Sequence, residues 1–204
     1  MSAAALTPPP VSPPSRAAVQ AYRFTATEFD QMGDMGWFEG HRAFLLDGAI
    51  LEQGPMNPLH ADGVVLVNEA LRAIFGIGFV VRPQLPLQVD AYNNPMPDCA
   101  VVAGNPRAFL GRHPTTAELV VEVSDSTLAI DMTEKAERYA TAGIADYWVL
   151  DLVGRRLLVY RDPAPLPVGL GASAYRKQQA FSPTDRVSPL AAPNSSILVG
   201  DLLP

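Results

Sequence analysis

Short apolar runs and one helical stripe dominate the hydrophobic pattern of this chain. The runs at residues 99–103, 119–123 and 146–151 are rich in β-branched and aromatic residues, and turn residues border them. Such runs are typical of strands in a sheet that is covered on both faces. Between residues 60 and 75, apolar side chains instead recur at intervals of three and four. That spacing predicts the buried stripe of a helix, so the chain combines helix and sheet.

Two local signals predict a short helix followed by a hairpin. Thr25 and Glu28 have the spacing of a capping box, which predicts a helix of about two to three turns. Residues 43–53 form two short predicted strands joined at Asp47-Gly48, a dipeptide that favours a tight turn. The ordered chain is therefore expected to begin with these two elements.

Proline, glycine and a second helix-cap signal predict where a strand and a helix in the middle of the chain begin and end. Residues 79–89 form a predicted strand that Pro83 and Pro86 confine, at least in part, to a sheet edge. Asp131 is the predicted cap of a further helix, which Gly143 is expected to end. This helix lies between the strands at 119–123 and 146–151.

The last part of the chain is predicted to be mainly strand and loop. Residues 155–161 are expected to pair as a hairpin with residues 146–151. Residues 162–173 are rich in proline and glycine and predict a loop. Two apolar stretches, at 175–181 and 197–203, close the chain.

The order of these elements defines a fold class. Helices and strands alternate without an internal repeat, which predicts an α+β or mixed α/β domain with one central sheet. A length of 204 residues fits one domain and is enough to bury a substantial core. Residues 1–20 hold five prolines and a single charge, which predicts a disordered tail. The expected folded domain is therefore residues 21–204.

The composition limits which binding partners and which cellular location are expected for this chain. The net charge of −6 argues against a protein whose whole surface binds nucleic acid, although it allows a local basic groove. The single cysteine, Cys99, excludes a disulfide framework and favours a reducing compartment. The chain contains neither an apolar run long enough to span a membrane nor a signal-peptide pattern at residues 1–20. The expected location is cytoplasmic.

Several catalytic classes lack their sequence signals. The chain has no G-x-S-x-G motif, and Gly76-Ile-Gly78 lacks the third glycine and the preceding strand of a dinucleotide site. Asp98 and Glu122 would suit the acid and base of a glycosidase, but no other feature predicts a sugar cleft.

Three charged residues in consecutive elements suggest chemistry. Asp98 directly precedes the strand at 99–103, Glu122 lies inside the next strand, and Lys135 lies on the following helix. Two carboxylates on adjacent strands suit a hard cation such as Mg²⁺, and a nearby ammonium suits charge that develops on a phosphoryl group. Lys135 is also one of only two lysines against thirteen arginines. A lysine can lose its proton when it is desolvated, whereas an arginine cannot.

The same residues carry a resemblance to a known family. Asp98, Glu122-Val123-Ser124 and Lys135 resemble the PD-(D/E)xK nuclease signature in the variant whose lysine has migrated to the next helix. The wider pattern is similar to the Uma-type family of restriction-endonuclease-like proteins, long catalogued as a domain of unknown function. It comprises LLDG at 45–48, His60, PMPDCAVV at 95–102, LVVEVSDST at 119–127, Asp131, Lys135, Tyr139, Gly143 and DYWVLD at 146–151.

The resemblance implies a fold and a set of roles. The fold would be a restriction-endonuclease-like mixed sheet flanked by helices, with additional β-hairpins. Asp98, Glu122 and the Val123 carbonyl would bind Mg²⁺ or Mn²⁺, and Lys135 would be the catalytic lysine. His60 and Ser124 are further candidates for contact with the substrate. That substrate would be nucleic acid, with DNA the first expectation, and a homodimer would allow both strands to be cut.

Two positions depart from the family pattern. Ser124 occupies the lysine position of the general motif, but it shares a face with Glu122, so a helix lysine opposite would replace the missing charge. Phe44 stands where relatives often have an acid, and Glu52 is the nearest substitute.

Two functions therefore stay open at the level of sequence. In the first, the chain is a Mg²⁺-dependent nuclease in which Lys135 positions the attacking water or stabilises the transition state. In the second, it is an inactive binding or assembly module in which Glu122 and Lys135 form a structural ion pair. The charge partner of Glu122 also stays open, because Arg138 is an alternative to Lys135.

Overall fold

The computed structural model describes residues 20–167 and 171–204. The predicted tail at residues 1–20 therefore lies, apart from Gln20, outside the described residues. The helices are α1 (Ala26–Asp34), α2 (Pro58–Ile74), α3 (Leu128–Ile130) and α4 (Ala136–Thr141), with 3₁₀ turns at Pro106–Phe109 and Val199–Leu202. The strands are β1 (Ala43–Leu46), β2 (Ala49–Glu52), β3 (Phe79–Pro83), β4 (Cys99–Ala103), β5 (Leu119–Ser124), β6 (Asp146–Asp151), β7 (Arg156–Pro165), β8 (Ser173–Phe181), β9 (Arg186–Val187) and β10 (Ile197–Leu198).

A six-stranded mixed sheet forms the centre of the molecule, in the order β3-β4-β5-β6-β7-β8. Strands β5 and β6 run parallel, and all the other neighbours in this sheet are antiparallel. A parallel pair needs a crossover connection, which α3, a π-helical turn at Asp131–Lys135 and α4 provide without a break. We call this helical segment, residues 128–141, the crossover helix. The predicted mixed α/β class with a central sheet is confirmed.

The two faces of the sheet explain the continuous apolar runs. Side chains alternate between faces along a strand, so both faces of β4, β5 and β6 need cover. Helix α2 and the last residues of the chain cover one face, against Val121, Val123 and Trp148. The crossover helix covers the other face, where Tyr139 packs with Tyr147. Glu122 and Ser124 belong to this second face.

The small hairpin of β1 and β2 stands apart from the central sheet and packs on α1. Its register pairs Leu46 with Ala49, so the turn is the predicted Asp47-Gly48. Both turn residues have positive φ, 52° and 74°, as the tight hairpin turn requires. A side chain at position 48 would collide with the backbone of Arg23, so glycine is needed there. The capping box at Thr25 is also confirmed.

Three predicted boundaries are wrong. Strand β3 ends at Pro83 instead of continuing to residue 89, because the chain beyond that residue leaves the sheet edge. The loop predicted at 162–173 is shorter, since β7 continues to Pro165 and β8 begins at Ser173; part of it lies outside the described residues. Asp131 does not cap a helix, because the crossover helix already begins three residues earlier, at Leu128.

No helix in the described part of the chain combines the length and the apolar character that crossing a membrane requires.

Candidate active site

Asp98 and Glu122 come together where β4 begins and β5 approaches its end. Cys99 pairs with Val121 in the ladder, so Asp98 lies one position beyond, next to Glu122. The Asp98 backbone N–H donates to Glu122 Oε2 at 3.4 Å. Both carboxyl side chains are almost fully buried. Adjacent strands therefore place two acids side by side, as the sequence predicted.

Asp98 has donors on both carboxylate oxygens. Val123 N–H donates to its Oδ2 at 2.9 Å, while His60 Nε2 and Gln84 Nε2 lie 3.2 and 3.4 Å from its Oδ1. Burial alone would raise the pKa of Asp98, but the bonds from His60 and Val123 outweigh it and lower that pKa. The bond to Asp98 in turn raises the pKa of His60. Asp98 is therefore held as a carboxylate.

Glu122 has a different balance of forces. Tyr139 donates its hydroxyl to Glu122 Oε1 at 2.8 Å, and Lys135 Nζ lies 3.1 Å from Oε2. Burial raises the pKa of Glu122 to about 7. The Asp98 carboxylate also raises this pKa, whereas the Lys135 ammonium lowers it. The charge inside the apolar strand is thus compensated by one ammonium and one phenol.

Lys135 reaches the strands from the last residue of the π-helical turn. Its ammonium lies 2.8 Å from Asp131 Oδ1 and 3.1 Å from Glu122 Oε2. Burial lowers the pKa of Lys135, but the Glu122 and Asp131 carboxylates together raise it above its usual range. The side chain is 21% exposed and lines the cleft described below. Lys135 is therefore a cation here, and not a base.

Asp131 is a buried member of this cluster, which its interpretation as a helix cap did not anticipate. Its Oδ2 accepts bonds from the hydroxyls of Ser124 and Thr127, the latter at 2.7 Å. Asp131, Lys135 and Tyr139 follow each other at intervals of four, so they lie on one helix face. That spacing is the sequence signal that identifies Asp131 and Tyr139 as site residues.

Ser124 and Arg138 differ from what the sequence suggested. Ser124 is fully buried with its hydroxyl on Asp131, a place that favours positioning of Asp131 over contact with a substrate. Arg138 is not the partner of Glu122, because its guanidinium binds Asp47 and Glu137.

A cleft of about 440 Å³ opens beside the cluster. Asp98, Val123 and Lys135 lie at its floor, and His60 lines one side. The β1–β2 hairpin also lines the cleft, and its exposed Glu52 bonds His41 Nδ1 at 2.9 Å. The predicted site residues, apart from Ser124 and Glu122, thus border one solvent-reached space.

The donors at this floor suit a hard divalent cation. Three buried carboxyl groups, on Asp98, Glu122 and Asp131, outnumber the two nearby groups that can carry positive charge, Lys135 and His60. In the described ranges, no three or more His, Cys, Asp or Glu side chains form a ready group around a metal ion. Mg²⁺ does not require one, since it is usually bound by one or two carboxylates, waters and substrate oxygens. Asp98 and Glu122 therefore fit as its side-chain ligands.

The Val123 carbonyl points toward the same place. The N–H and C=O of one strand residue face the same neighbouring strand. The Val123 N–H bonds the Asp98 side chain, so the carbonyl also faces this side, beyond the last β4–β5 pair at Cys99 and Val121. It is available as an additional oxygen donor.

The fold and the family together define the class of protein. A mixed sheet with two acids on adjacent central strands is the arrangement of restriction-endonuclease-like nucleases. The sequence profile of the Uma2 family, described as "Putative restriction endonuclease", matches residues 26–200. The chain belongs to this family.

A solved structure agrees with this assignment at the level of fold. The chain is similar to a crystal structure described as "a putative nuclease belonging to DUF820" from Anabaena variabilis ATCC 29413. The TM-score is 0.60 at 16% sequence identity, over 78% of this chain and 88% of the other. The predicted restriction-endonuclease-like fold is thereby confirmed. No curated protein matches the chain significantly.

Proposed function

We propose that this chain is a divalent-metal-dependent nuclease that hydrolyses phosphodiester bonds in nucleic acid, with DNA as its first candidate substrate. The observation that carries the proposal is the position of Lys135. Its ammonium lies 3.1 Å from Glu122 Oε2, the oxygen that also accepts from the Asp98 N–H. A lysine from the crossover helix thus takes the place of the lysine that the motif would have at Ser124.

Asp98, Glu122 and the Val123 carbonyl would hold Mg²⁺ or Mn²⁺ in this proposal. The bound ion would supply positive charge next to the phosphoryl oxygens. The chain's own part is to fix both acids in place and to favour their ionised forms against the effect of burial, which is stronger for Glu122. His60 and Val123 do so for Asp98, and Tyr139 and Lys135 do so for Glu122.

Lys135 would act as a hydrogen-bond donor. The carboxylates of Glu122 and Asp131 raise its pKa, so it carries a proton at neutral pH and cannot accept one from water. A fixed ammonium in a largely buried site orients an attacking water and stabilises negative charge that develops on the phosphoryl oxygens. Asp131, oriented by Ser124 and Thr127, would hold Lys135 at this position.

His60 would contact the substrate from the side of α2. Its Nε2 faces Asp98 at 3.2 Å, and the ring lines the cleft. The bond to Asp98 raises the pKa of His60 and favours the protonated ring, which donates to phosphate oxygens.

The test is metal-dependent cleavage of labelled DNA and RNA by the full chain, together with calorimetry of Mg²⁺ and Mn²⁺ binding. We expect cleavage that EDTA abolishes and that Asp98→Asn, Glu122→Gln and Lys135→Met each reduce by at least about 100-fold. The first two substitutions should also weaken metal binding. Cleavage that persists unchanged in Glu122→Gln or Lys135→Met would contradict the proposal.

Lys177→Met is the matched control for Lys135→Met. Lys177 is the other lysine of the chain and lies exposed on β8, away from the cluster. All proteins would be purified in the same way, so that a contaminating nuclease would appear equally in every variant.

A second function, a binding or assembly module, is favoured by one observation. The Lys135 ammonium pairs with both Glu122 and Asp131. Lys135→Met is expected to destabilise the protein under either function, so the discriminating result is calorimetry, which would detect no binding of Mg²⁺ or Mn²⁺ in this second case. Tight metal binding that Asp98→Asn removes would exclude this alternative.

A further inference from the structure

The β1–β2 hairpin turns one apolar face toward the cleft, where Leu46 is buried, Phe44 is half-buried and Leu51 is exposed. Phe44 pairs with Leu51, and period two places Leu46 on the same face. The opposite face, with Leu45 and Ile50, packs on α1. The face of Phe44, Leu46 and Leu51 lines the cleft, and Leu51 is 40% exposed. An antiparallel hairpin with one packed face and one open apolar face suggests a binding surface.

This apolar wall shares the cleft with the charged residues of its floor. Lys135 and Asp98 line the same cavity as Phe44. The volume of about 440 Å³ falls within the roughly 300–1,000 Å³ of sites for small organic ligands. With the divalent ion of the proposed function held by Asp98 and Glu122, this cavity would offer positive charge to an anionic group and the Phe44 ring to a flat apolar group.

The charge around the cleft disfavours a duplex. Among the described residues that line it, Lys135 and His60 are the basic ones, whereas Glu52, Asp125 and Glu134 are acidic. A duplex presents the phosphates of two strands, and proteins bind it by neutralising several of them with Lys and Arg. Acidic side chains at the rim repel those further phosphates.

We propose that the cleft binds one unstacked nucleotide, with its base against Phe44 and its phosphate toward Lys135. The preferred substrate is then a single strand or a frayed end. This inference rests on the nuclease function proposed above and adds the substrate class to it. A base offers a flat π-face that stacks on aromatic side chains regardless of its sequence. The phosphate supplies the negative charge that Lys135 attracts.

Binding of small probes to the full chain tests the base site without any cleavage. Thymidine 5′-monophosphate should bind at least about tenfold more tightly than 2-deoxyribose 5-phosphate, which lacks the base. Phe44→Ala should abolish this difference, whereas Phe44→Tyr should retain it. Leu51→Ala, on the same face, should reduce the difference in affinity between the two probes. This variant serves as the test if Phe44→Ala fails to fold. Val153→Ala, an exposed apolar site on the β6–β7 turn, is the control and should change nothing.

Equal affinity for the two probes in the unmodified chain would overturn the base site, and so would a difference that survives both Phe44→Ala and Leu51→Ala. If this wall binds a peptide or another partner instead of a base, the two probes should bind with equal affinity.

Cleavage separates this inference from the proposed function. With Mg²⁺, a single-stranded oligonucleotide should be cut at least about tenfold faster than its blunt duplex. A duplex cut as fast as the single strand would overturn the inference and leave the nuclease intact. Phe44-dependent binding of thymidine 5′-monophosphate without any cleavage would support the base site and contradict the nuclease.

Discussion

Glu122 is tolerated inside an apolar strand because its partners come from three different elements. The Asp98 N–H at the start of β4, Tyr139 of α4 and Lys135 of the π-helical turn all reach its carboxylate. Burial still raises the pKa of Glu122 to about 7, so the compensation is incomplete. A buried carboxylate in this state is a feature of functional sites more often than of cores.

Replacing Lys135 by Met should strongly destabilise the protein. The substitution leaves the Glu122 and Asp131 carboxylates buried without their cation, for which we expect a loss of about 3–5 kcal/mol in the free energy of unfolding. Urea unfolding followed by circular dichroism measures it. Adding Glu122→Gln should recover part of the loss, because it removes one of the two unpaired charges. A loss below about 1 kcal/mol would mean that the pair behaves like an exposed one.

At the scale of elements, close packing sets the position of His60. Helix α2 approaches β5 at Gly63, where a Cβ atom would lie 2.9 Å from Val123 Cγ1 and 3.4 Å from Leu152 Cδ2. His60 lies one turn earlier on the same helix and bonds Asp98. Glycine at this position therefore lets α2 carry His60 to the site.

Gly63→Ala should push α2 away from β5. Alanine raises helix propensity by about 1 kcal/mol, but the clash should outweigh this and cost about 1–3 kcal/mol. Urea unfolding gives the change, and Asp62→Ala, one residue earlier on an exposed position, is the control. Stabilisation by Gly63→Ala would show that the helix adjusts without cost.

The hairpin is tied to the crossover helix at its turn. Arg138 binds the Asp47 carboxylate, and Asn93 Oδ1 accepts from the Asp47 N–H at 2.8 Å. Arg138→Ala should leave global stability within about 1 kcal/mol but speed amide exchange in residues 44–51 about tenfold. Native-state hydrogen exchange measures this, with Arg155→Ala as the control outside the hairpin. Unchanged exchange in the hairpin would assign its anchoring to Asn93 and to Arg23, whose Nε donates to the Asp47 carbonyl at 2.9 Å.

At the scale of the whole molecule, we propose that residues 21–204 form a single domain. The central sheet and the two layers that cover it should therefore unfold as one cooperative unit. The reactivity of Cys99 measures exposure of the core, because this residue is fully buried beneath α2. Burial also raises the pKa of its thiol to about 12. Its reaction with a thiol reagent should therefore rise with urea in step with circular dichroism. Earlier labelling would reveal local opening of β4.

The sequence by itself determined most elements of the fold. Period and turn chemistry are local, so the strands predicted at 99–103, 119–123 and 146–151, the hairpin turn at Asp47-Gly48 and helix α2 were predictable. Pro83 lies on an edge strand for the same local reason, since it cannot donate to a ladder.

Only the tertiary structure decided which charges meet. Asp131 has the sequence of a cap, but the helix begins before it, and the π-helical turn carries Asp131 and Lys135 onto Glu122. Arg138, a local alternative, faces Asp47 instead. The open face of the hairpin also depends on how α1 packs on the opposite side. Contacts between residues distant in sequence depend on sheet order and helix packing, which no local pattern records.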